Sequence, residues 1–144
     1  MTETAPHGFK WHLTDEEMAA QPTIYRPDLF AGQRFLITGG GTGMGRAMTF
    51  LLARLGAKVM IAGRRKEVLA ETQDAVRRLI GADIAYVPMT IRDPEQVDAL
   101  LDRVWADWGG LDTLVNNAGG QFPQNAIDFS RKGWNSVIDL NLNG

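Results

Sequence analysis

The chain has 144 residues, the length of about one domain, and its 44% hydrophobic and 22% charged residues are typical of a globular protein. A formal net charge of -2 argues against nucleic-acid binding, and the absence of cysteine excludes disulfides and thiolate metal sites. No His, Asp and Glu residues have metal-ligand spacing, so no metal is expected. Apolar runs too short to cross a bilayer, and an N-terminus unlike a signal peptide, predict a cytoplasmic protein without a membrane partner.

The N-terminal residues differ in character from the rest of the chain. Prolines interrupt them, and the stretch DEEMAA (15–20) is too short to predict a helix. We therefore predict an N-terminal extension, residues 1–31, that lies against a larger domain formed by residues 32–144. His7 and His12 belong to this extension, where solvated side chains are expected rather than catalytic ones.

From Arg34 onward, short apolar runs alternate with helical patterns. Helices are predicted after the first strand, up to Gly56, after the second, up to Gly81, and from Asp93, a helix-capping residue followed by proline. A further helix is predicted to begin near Ser130. The strands are predicted at 34–38, 58–62, 84–89 and 111–117. This alternation predicts an α/β fold with a doubly wound parallel sheet, Rossmann-like, whose C-terminal half is incomplete.

The stretch TGGGTGMG (38–45) joins the first predicted strand to the next helix. Backbone N–H groups and the helix dipole favour an anion at such a helix N-terminus, so the loop is a candidate phosphate site. No frame of the loop fits GxGxxG, and no Gly-Lys-Ser/Thr follows it; TGxxxGxG fits instead. A turn that needs glycine only for tight packing remains the alternative. The candidate cofactor-binding residues are Thr38, Gly39, Thr42, Gly43, Met44 and Gly45.

The end of the second predicted strand indicates which nucleotide is bound. NAD-binding proteins place an acidic residue about 20 residues beyond the loop, yet no Asp or Glu occurs between Arg46 and Lys66. Arg64, Arg65 and Lys66 stand there instead, and a guanidinium pairs well with a 2′-phosphate. NADP is therefore predicted as the cofactor, with Arg64 as the main contact and Arg65 and Lys66 as secondary ones. The alternative is a solvated basic start of a helix.

The fourth predicted strand ends in VNNAGG (115–120). With TGxxxGxG upstream, its NNAG element resembles the short-chain dehydrogenase/reductase family, although an asparagine pair also suits a plain turn. The resemblance implies that Asn117, Ala118 and Gly119 lie near the adenosine ribose and that Thr90 and Ile91 flank the adenine. The family usually has an Asp at the position of Thr90, so this contact departs from the pattern.

The stretches around NNAGGQF and SRKGWNSVIDLNLNG are similar to those of enoyl-CoA and 2,4-dienoyl-CoA reductases of this family. YRPDLFAGQ (25–33) is similar to the lead-in of citronellol-type dehydrogenases. The resemblance implies that Gln121 and Phe122 lie near the nicotinamide and substrate, although Phe122 could equally anchor its loop. Asn141 matches the helix asparagine that supports the family's proton relay, so it is the one catalytic candidate. Asn143 competes for that role, and Asn141 could instead satisfy its own backbone.

The family's general acid is a Tyr followed by Lys at helical spacing, with a nearby Ser. Neither Tyr25 nor Tyr86 has such a lysine, so we expect an N-terminal fragment of an enzyme, inactive and aggregation-prone alone. The leading hypothesis is an NADP-dependent oxidoreductase that acts on a small molecule, an enoyl- or dienoyl-CoA, as a homo-oligomer when full length. The alternatives are a dehydrogenase of a terpenoid or other alcohol and a non-catalytic nucleotide-binding module.

Overall fold

The computed structural model describes residues 13–144, so His7 and His12 lie outside the described residues. Strands and helices alternate along this part of the chain, as the hydrophobic pattern predicts. The elements are α1 (Asp15–Ala20), β1 (Arg34–Thr38), α2 (Gly43–Arg54), β2 (Lys58–Gly63), α3 (Lys66–Ile80), β3 (Ala85–Pro88), α4 (Pro94–Trp108), β4 (Thr113–Val115), a 3-10 turn (Ala126–Asp128) and α5 (Arg131–Asn141).

The strands of the described residues form one parallel sheet in the order β3-β2-β1-β4. In the sheet register, Leu36 of β1 lies opposite Met60 of β2 on one side and Leu114 of β4 on the other. The crossover helices connect strands that run in the same direction, so the carboxyl ends of all the strands lie along one edge. This arrangement confirms the predicted Rossmann-like α/β fold.

Alternate residues of the central strands point to opposite faces of the sheet, and each face has its own apolar core. Ile37, Val59 and Ile61 pack with residues of α2 and α3, including Phe50 and Val76. On the other face, the core residues are Leu36, Met60, Ala62, Met89, Leu100 and Val104, the last two from α4. Both faces of β1 and β2 are therefore buried, which explains their continuous apolar sequences.

The stretch DEEMAA forms a helix, α1, although its length alone predicts none. A capping box explains how so short a helix forms: Glu17 N–H donates to Thr14 Oγ1 (3.2 Å), and Thr14 N–H donates to a Glu17 carboxylate oxygen (2.7 Å). α1 packs against α2 and α3. The Thr-x-x-Glu spacing of Thr14 and Glu17 indicates the start of this helix, whereas apolar periodicity alone does not.

Strand β4 is shorter than the predicted 111–117. It pairs with β1 at three positions, and the chain then turns, because Asn117 N–H donates to the Val115 carbonyl oxygen (3.0 Å). The side chain of Asp112 precedes the strand and binds Arg34, the first residue of β1. Asp112 and Asn117, which flank the observed strand, thus form an ion pair and a turn instead of continuing the strand pairing with β1.

Candidate functional site

A cleft opens at the carboxyl edge of the sheet, where the loops after the strands meet. Most of the predicted cofactor-binding residues line it: Gly39, Thr42, Met44, Arg64, Arg65, Thr90, Ile91, Asn117, Ala118 and Gly119. Further lining residues were not predicted: Gly41, Ala62, Gly63, Val68, Leu69, Met89 and Leu140. Their side chains are small or apolar, so the sequence alone indicates core residues. What distinguishes them from other core residues is their position at or beside the ends of strands and helices.

Glycines of the loop after β1 serve two different purposes. Gly43 has φ +53°, and a Cβ added there would meet no atom within 4 Å, so its backbone faces open space. At Gly45 an added Cβ would lie 2.2 Å from the carbonyl oxygen of Gly39. Gly45 therefore allows α2 to pack closely against the loop, whereas Gly43 leaves room beside the start of α2 for a ligand.

The two helices that begin at the cleft lack side-chain caps. Thr42 precedes α2 and Arg65 precedes α3, and neither side chain accepts a hydrogen bond from the helix. By contrast, Asp93 caps α4 and Ser130 caps α5, with acceptor distances of 3.1 Å and 3.0 Å. The N–H groups in the first turns of α2 and α3 thus remain for an anion, and both helix dipoles favour one.

Arg64 and Arg65 are exposed at the rim of the cleft, directly after β2. Within residues 13–144, neither has a carboxylate partner. The arginines that do form ion pairs in this part of the chain are Arg26, Arg34, Arg46, Arg77, Arg78 and Arg103. The cleft therefore has a cationic rim beside the uncapped start of α3, and this combination suits a phosphate group.

Thr38 lies beneath the cleft and joins β1 to the loop after β4. Its buried Oγ1 accepts hydrogen bonds from the N–H groups of Asn117 and Ala118, both at 3.0 Å. The side-chain amide of Asn117 donates in return to the Thr38 carbonyl oxygen (2.9 Å). These bonds hold the loop that contains the NNAG element against the glycine-rich loop, so both line the cleft in fixed positions.

Asn141 does not line the cleft but secures the loop after β4. Its side chain donates to the Gly120 carbonyl oxygen (2.8 Å) and accepts from Gly120 N–H (3.0 Å). It also donates to the Val137 carbonyl oxygen of its own helix (2.8 Å), which is the bond to its own backbone that stands as the alternative to a catalytic role. Asn143 instead binds Asp139. At Gly119 an added Cβ would lie 2.6 Å from Asn141 Oδ1, which explains the glycine there.

Gln121 and Phe122 follow the NNAG element but do not line the cleft. Phe122 stacks on Phe129, with ring centroids 5.2 Å apart and planes inclined by 7°. This stacking matches the alternative in which Phe122 anchors its loop. The tyrosines, Tyr25 in the N-terminal segment and Tyr86 in β3, also lie away from the cleft.

No helix within residues 13–144 combines the length and the hydrophobicity that crossing a bilayer requires. In the same residues, no three or more His, Cys, Asp and Glu side chains come together in a way that could hold a metal ion.

Comparison with known proteins gives consistent results. A family model described as short chain dehydrogenase matches residues 33–144. An uncharacterized oxidoreductase of Staphylococcus aureus strain USA300 is 37% identical over 109 residues, which are 76% of this chain and 46% of the relative. One from Caenorhabditis elegans is 38% identical over 119 residues, covering 82% of this chain and 38% of the relative.

Solved structures are similar as well. The citronellol catabolism dehydrogenase AtuB of Pseudomonas aeruginosa PAO1 matches with a TM-score of 0.79 and 38% identity, covering 84% of this chain and 49% of that one. L-sorbose reductase from Gluconobacter frateurii, solved with NADPH and L-sorbose, matches with a TM-score of 0.74 and 27% identity, covering 82% and 45%. This chain spans less than half the length of the relatives it matches.

Proposed function

The chain belongs to the short-chain dehydrogenase family, and from this premise we propose that its cleft binds NADP and that the intact protein is an NADP-dependent oxidoreductase of a small molecule. The observation that carries the proposal is the pair of arginines, Arg64 and Arg65, which have no carboxylate partner within residues 13–144 and lie beside the uncapped N-terminus of α3. An NADPH-bound structure among the similar proteins supports the same cofactor.

In this proposal each part of the cleft holds one part of the nucleotide. The pyrophosphate lies at the N-terminus of α2, where the open backbone at Gly43 lets it approach the N–H groups. Arg64 pairs with the 2′-phosphate, and Arg65 assists it. Five further lining residues take the adenosine: Thr90, Ile91, Asn117, Ala118 and Gly119. When bound, NADPH supplies a hydride to the substrate.

An arginine substitution tests the 2′-phosphate contact. Arg64→Asp in the intact protein places a carboxylate opposite the phosphate, so NADPH affinity, measured by fluorescence titration, is expected to fall by about 100-fold. Arg103→Asp is the matched control, because Arg103 lies on α4 away from the cleft and pairs with Asp107. An unchanged NADPH affinity in Arg64→Asp would show that the 2′-phosphate assignment is wrong.

For the substrate, we propose an enoyl- or 2,4-dienoyl-CoA thioester first, on the resemblance of the segments around NNAGGQF and α5. A terpenoid or other alcohol is the second candidate, and the similarity to a citronellol catabolism dehydrogenase favours it. Steady-state assays of the intact protein separate the two candidates. NADPH oxidation with a 2-enoyl-CoA supports the first, and NADP reduction with citronellol supports the second.

A non-catalytic nucleotide-binding module is the remaining alternative, because no Tyr of the described residues is near the cleft. Tight NADPH binding by the intact protein without turnover of either substrate class would favour it. The proposal also retains an extension at residues 1–31 before a dinucleotide-binding part at 32–144, a division that the family match from residue 33 supports. Cytoplasmic location and a homo-oligomer of the intact protein are part of the same proposal.

A further inference from the structure

Arg46 lies in the first turn of α2, close to the proposed pyrophosphate site, yet its guanidinium does not face the cleft. It forks onto the carboxylate of Asp15 in α1, with Nε to Oδ1 at 2.9 Å and Nη2 to Oδ2 at 2.6 Å. The side chains of Arg46 and Asp15 are 18% and 25% exposed, so this bidentate pair is largely shielded from solvent. A cation at a helix N-terminus is otherwise unfavourable, and Asp15 offsets that cost.

The same guanidinium also contacts α3 and the glycine-rich loop. Its Nη1 donates to Oγ1 of the fully buried Thr72 and lies 3.4 Å from the carbonyl oxygen of Gly41. Thr72 Oγ1 in turn donates to the Val68 carbonyl oxygen (2.8 Å), one helical turn nearer the cleft. Arg46 also lies over the ring of Phe50, 5.7 Å from its centroid. One side chain thus joins α1, α2, α3 and the loop.

This network connects the two helices whose uncapped N-termini meet at the cleft. Arg46 is fixed on α2 and Thr72 on α3, so their contact sets the spacing between the two helix starts. NADP spans that spacing in the proposed binding mode, with its pyrophosphate at α2 and its 2′-phosphate at the start of α3. We propose that the Asp15–Arg46 pair is a positioning device by which the N-terminal segment sets the affinity of the cleft for NADP.

The inference rests on the proposed NADP site. The change in NADPH affinity that it predicts for Asp15→Asn is opposite to the change expected from the charge of Asp15 alone. Asp15→Asn removes a negative charge near an anion site, which by Coulomb's law alone would tighten NADPH binding. Loss of the spacing instead weakens NADPH binding, and weakens NADH binding less, because NADH has no 2′-phosphate to bridge the two helix starts. If α1 contributed only to the stability of the fold, Asp15→Asn would weaken the binding of NADPH and of NADH equally.

The test compares matched variants of the intact protein. Asp15→Asn and Arg46→Lys are each expected to weaken NADPH binding by about tenfold, and the double variant to be no weaker than either single one. Glu16→Gln is the control: it removes a carboxylate from the same turn of α1, and its partner Arg78 is exposed and 3.6 Å away. Isothermal titration with NADPH and NADH measures the affinities, and melting curves show that each variant is folded.

Wild-type affinity, or tighter NADPH binding, in Asp15→Asn overturns the inference, as does an equal loss in Glu16→Gln. Hydrogen–deuterium exchange of residues 39–46 in the cofactor-free protein provides a second measurement. Faster exchange there in Asp15→Asn but not in Glu16→Gln is expected, and unchanged exchange overturns the inference. Failure of the wild-type protein to bind NADPH would instead refute the proposed function, and the exchange measurement would still decide whether the pair orders the loop.

Discussion

The backbone around the start of α2 leaves very different space at two neighbouring glycines. An added Cβ at Gly45 would overlap the carbonyl oxygen of Gly39, which is backbone and cannot move aside cheaply. At Gly43 the same atom would enter open space, and only the positive φ opposes it. The structure therefore explains Gly45 by close packing, whereas the open space at Gly43 is what the proposed NADP site would use.

Alanine substitutions separate these two functions. Gly45→Ala is expected to lower the free energy of unfolding by about 3 kcal/mol or more, because the overlap forces a backbone shift. Gly43→Ala is expected to cost about 1–2 kcal/mol, the strain of a left-handed alanine, and to weaken NADPH binding in addition. Urea unfolding of the intact protein measures both losses. An equal or smaller loss in Gly45→Ala than in Gly43→Ala would contradict this division.

The hydrogen bonds of Thr38, Asn117 and Asn141 show that a motif match does not determine which of its residues contact the cleft. The sequence predicts all three as site residues, and the family resemblance gives Asn117 and Asn141 specific roles. In the structure, Thr38 and Asn141 fix the loop after β4 without lining the cleft, and only Asn117 both braces and lines it. A pattern of residue types identifies the neighbourhood of a site, but contact with the cleft depends on side-chain direction.

An ion pair joins Arg34, the first residue of β1, to Asp112, which directly precedes β4. Arg34 Nε and Nη2 lie 2.8 Å and 2.9 Å from the two carboxylate oxygens of Asp112, and the N–H of Arg34 donates to the same carboxylate (2.8 Å). Together these hydrogen bonds lower the pKa of Asp112 from 3.8 to about 2, and the side-chain hydrogen bonds contribute more than the backbone one. Arg34 also donates to the Trp108 carbonyl oxygen (3.1 Å), so the end of α4 shares this connection.

The depressed pKa of Asp112 predicts how this connection depends on pH. A carboxyl whose pKa is lower in the folded state contributes stability above its unfolded pKa and loses it as pH falls through the folded value. Asp112→Asn is therefore expected to lower the melting temperature of the intact protein at pH 6 and to make little difference at pH 2. Asp74→Asn, whose exposed carboxylate is 4.0 Å from Arg77, is the control. A difference between wild type and Asp112→Asn that persists undiminished at pH 2 would contradict the assignment.

The local hydrophobic pattern predicts most of the helices and strands but not the ion pairs that connect them. The alternation of apolar strands with periodic helices predicts β1 to β4 and α2 to α4, because each contributes side chains to the sheet cores. The same periodicity predicts α5, although none of its residues is buried. The Arg34–Asp112 pair joins residues 78 apart in sequence, and no local spacing indicates it. The Asp15–Arg46 pair likewise depends on the packing of α1 on α2, which apolar periodicity does not reveal.

β4 is an edge strand of the described sheet, paired with β1 alone. Large apolar side chains of β4, α4 and α5 are exposed: Leu114 by 47%, Trp105 by 54% and Trp134 by 61%. An unpaired strand edge with exposed apolar residues promotes association between chains. Among the described residues, the free edge of β4 is thus open to pairing with another strand.

We predict that the 144-residue chain, produced alone, self-associates and binds a hydrophobic dye such as ANS. Sedimentation velocity measures the association, and Leu114→Lys, which adds a charge at the edge strand, is expected to reduce it. A monomeric chain that unfolds cooperatively and binds little dye would contradict this prediction.

We propose that the loops at the carboxyl edge of the sheet form a site for NADP rather than NAD. Isothermal titration of the intact wild-type protein with NADPH and with NADH, in the same buffer, tests this proposal. Pairing of the 2′-phosphate with Arg64 is expected to make NADPH bind at least about tenfold more tightly than NADH. Equal affinities, or tighter binding of NADH, would contradict the claim.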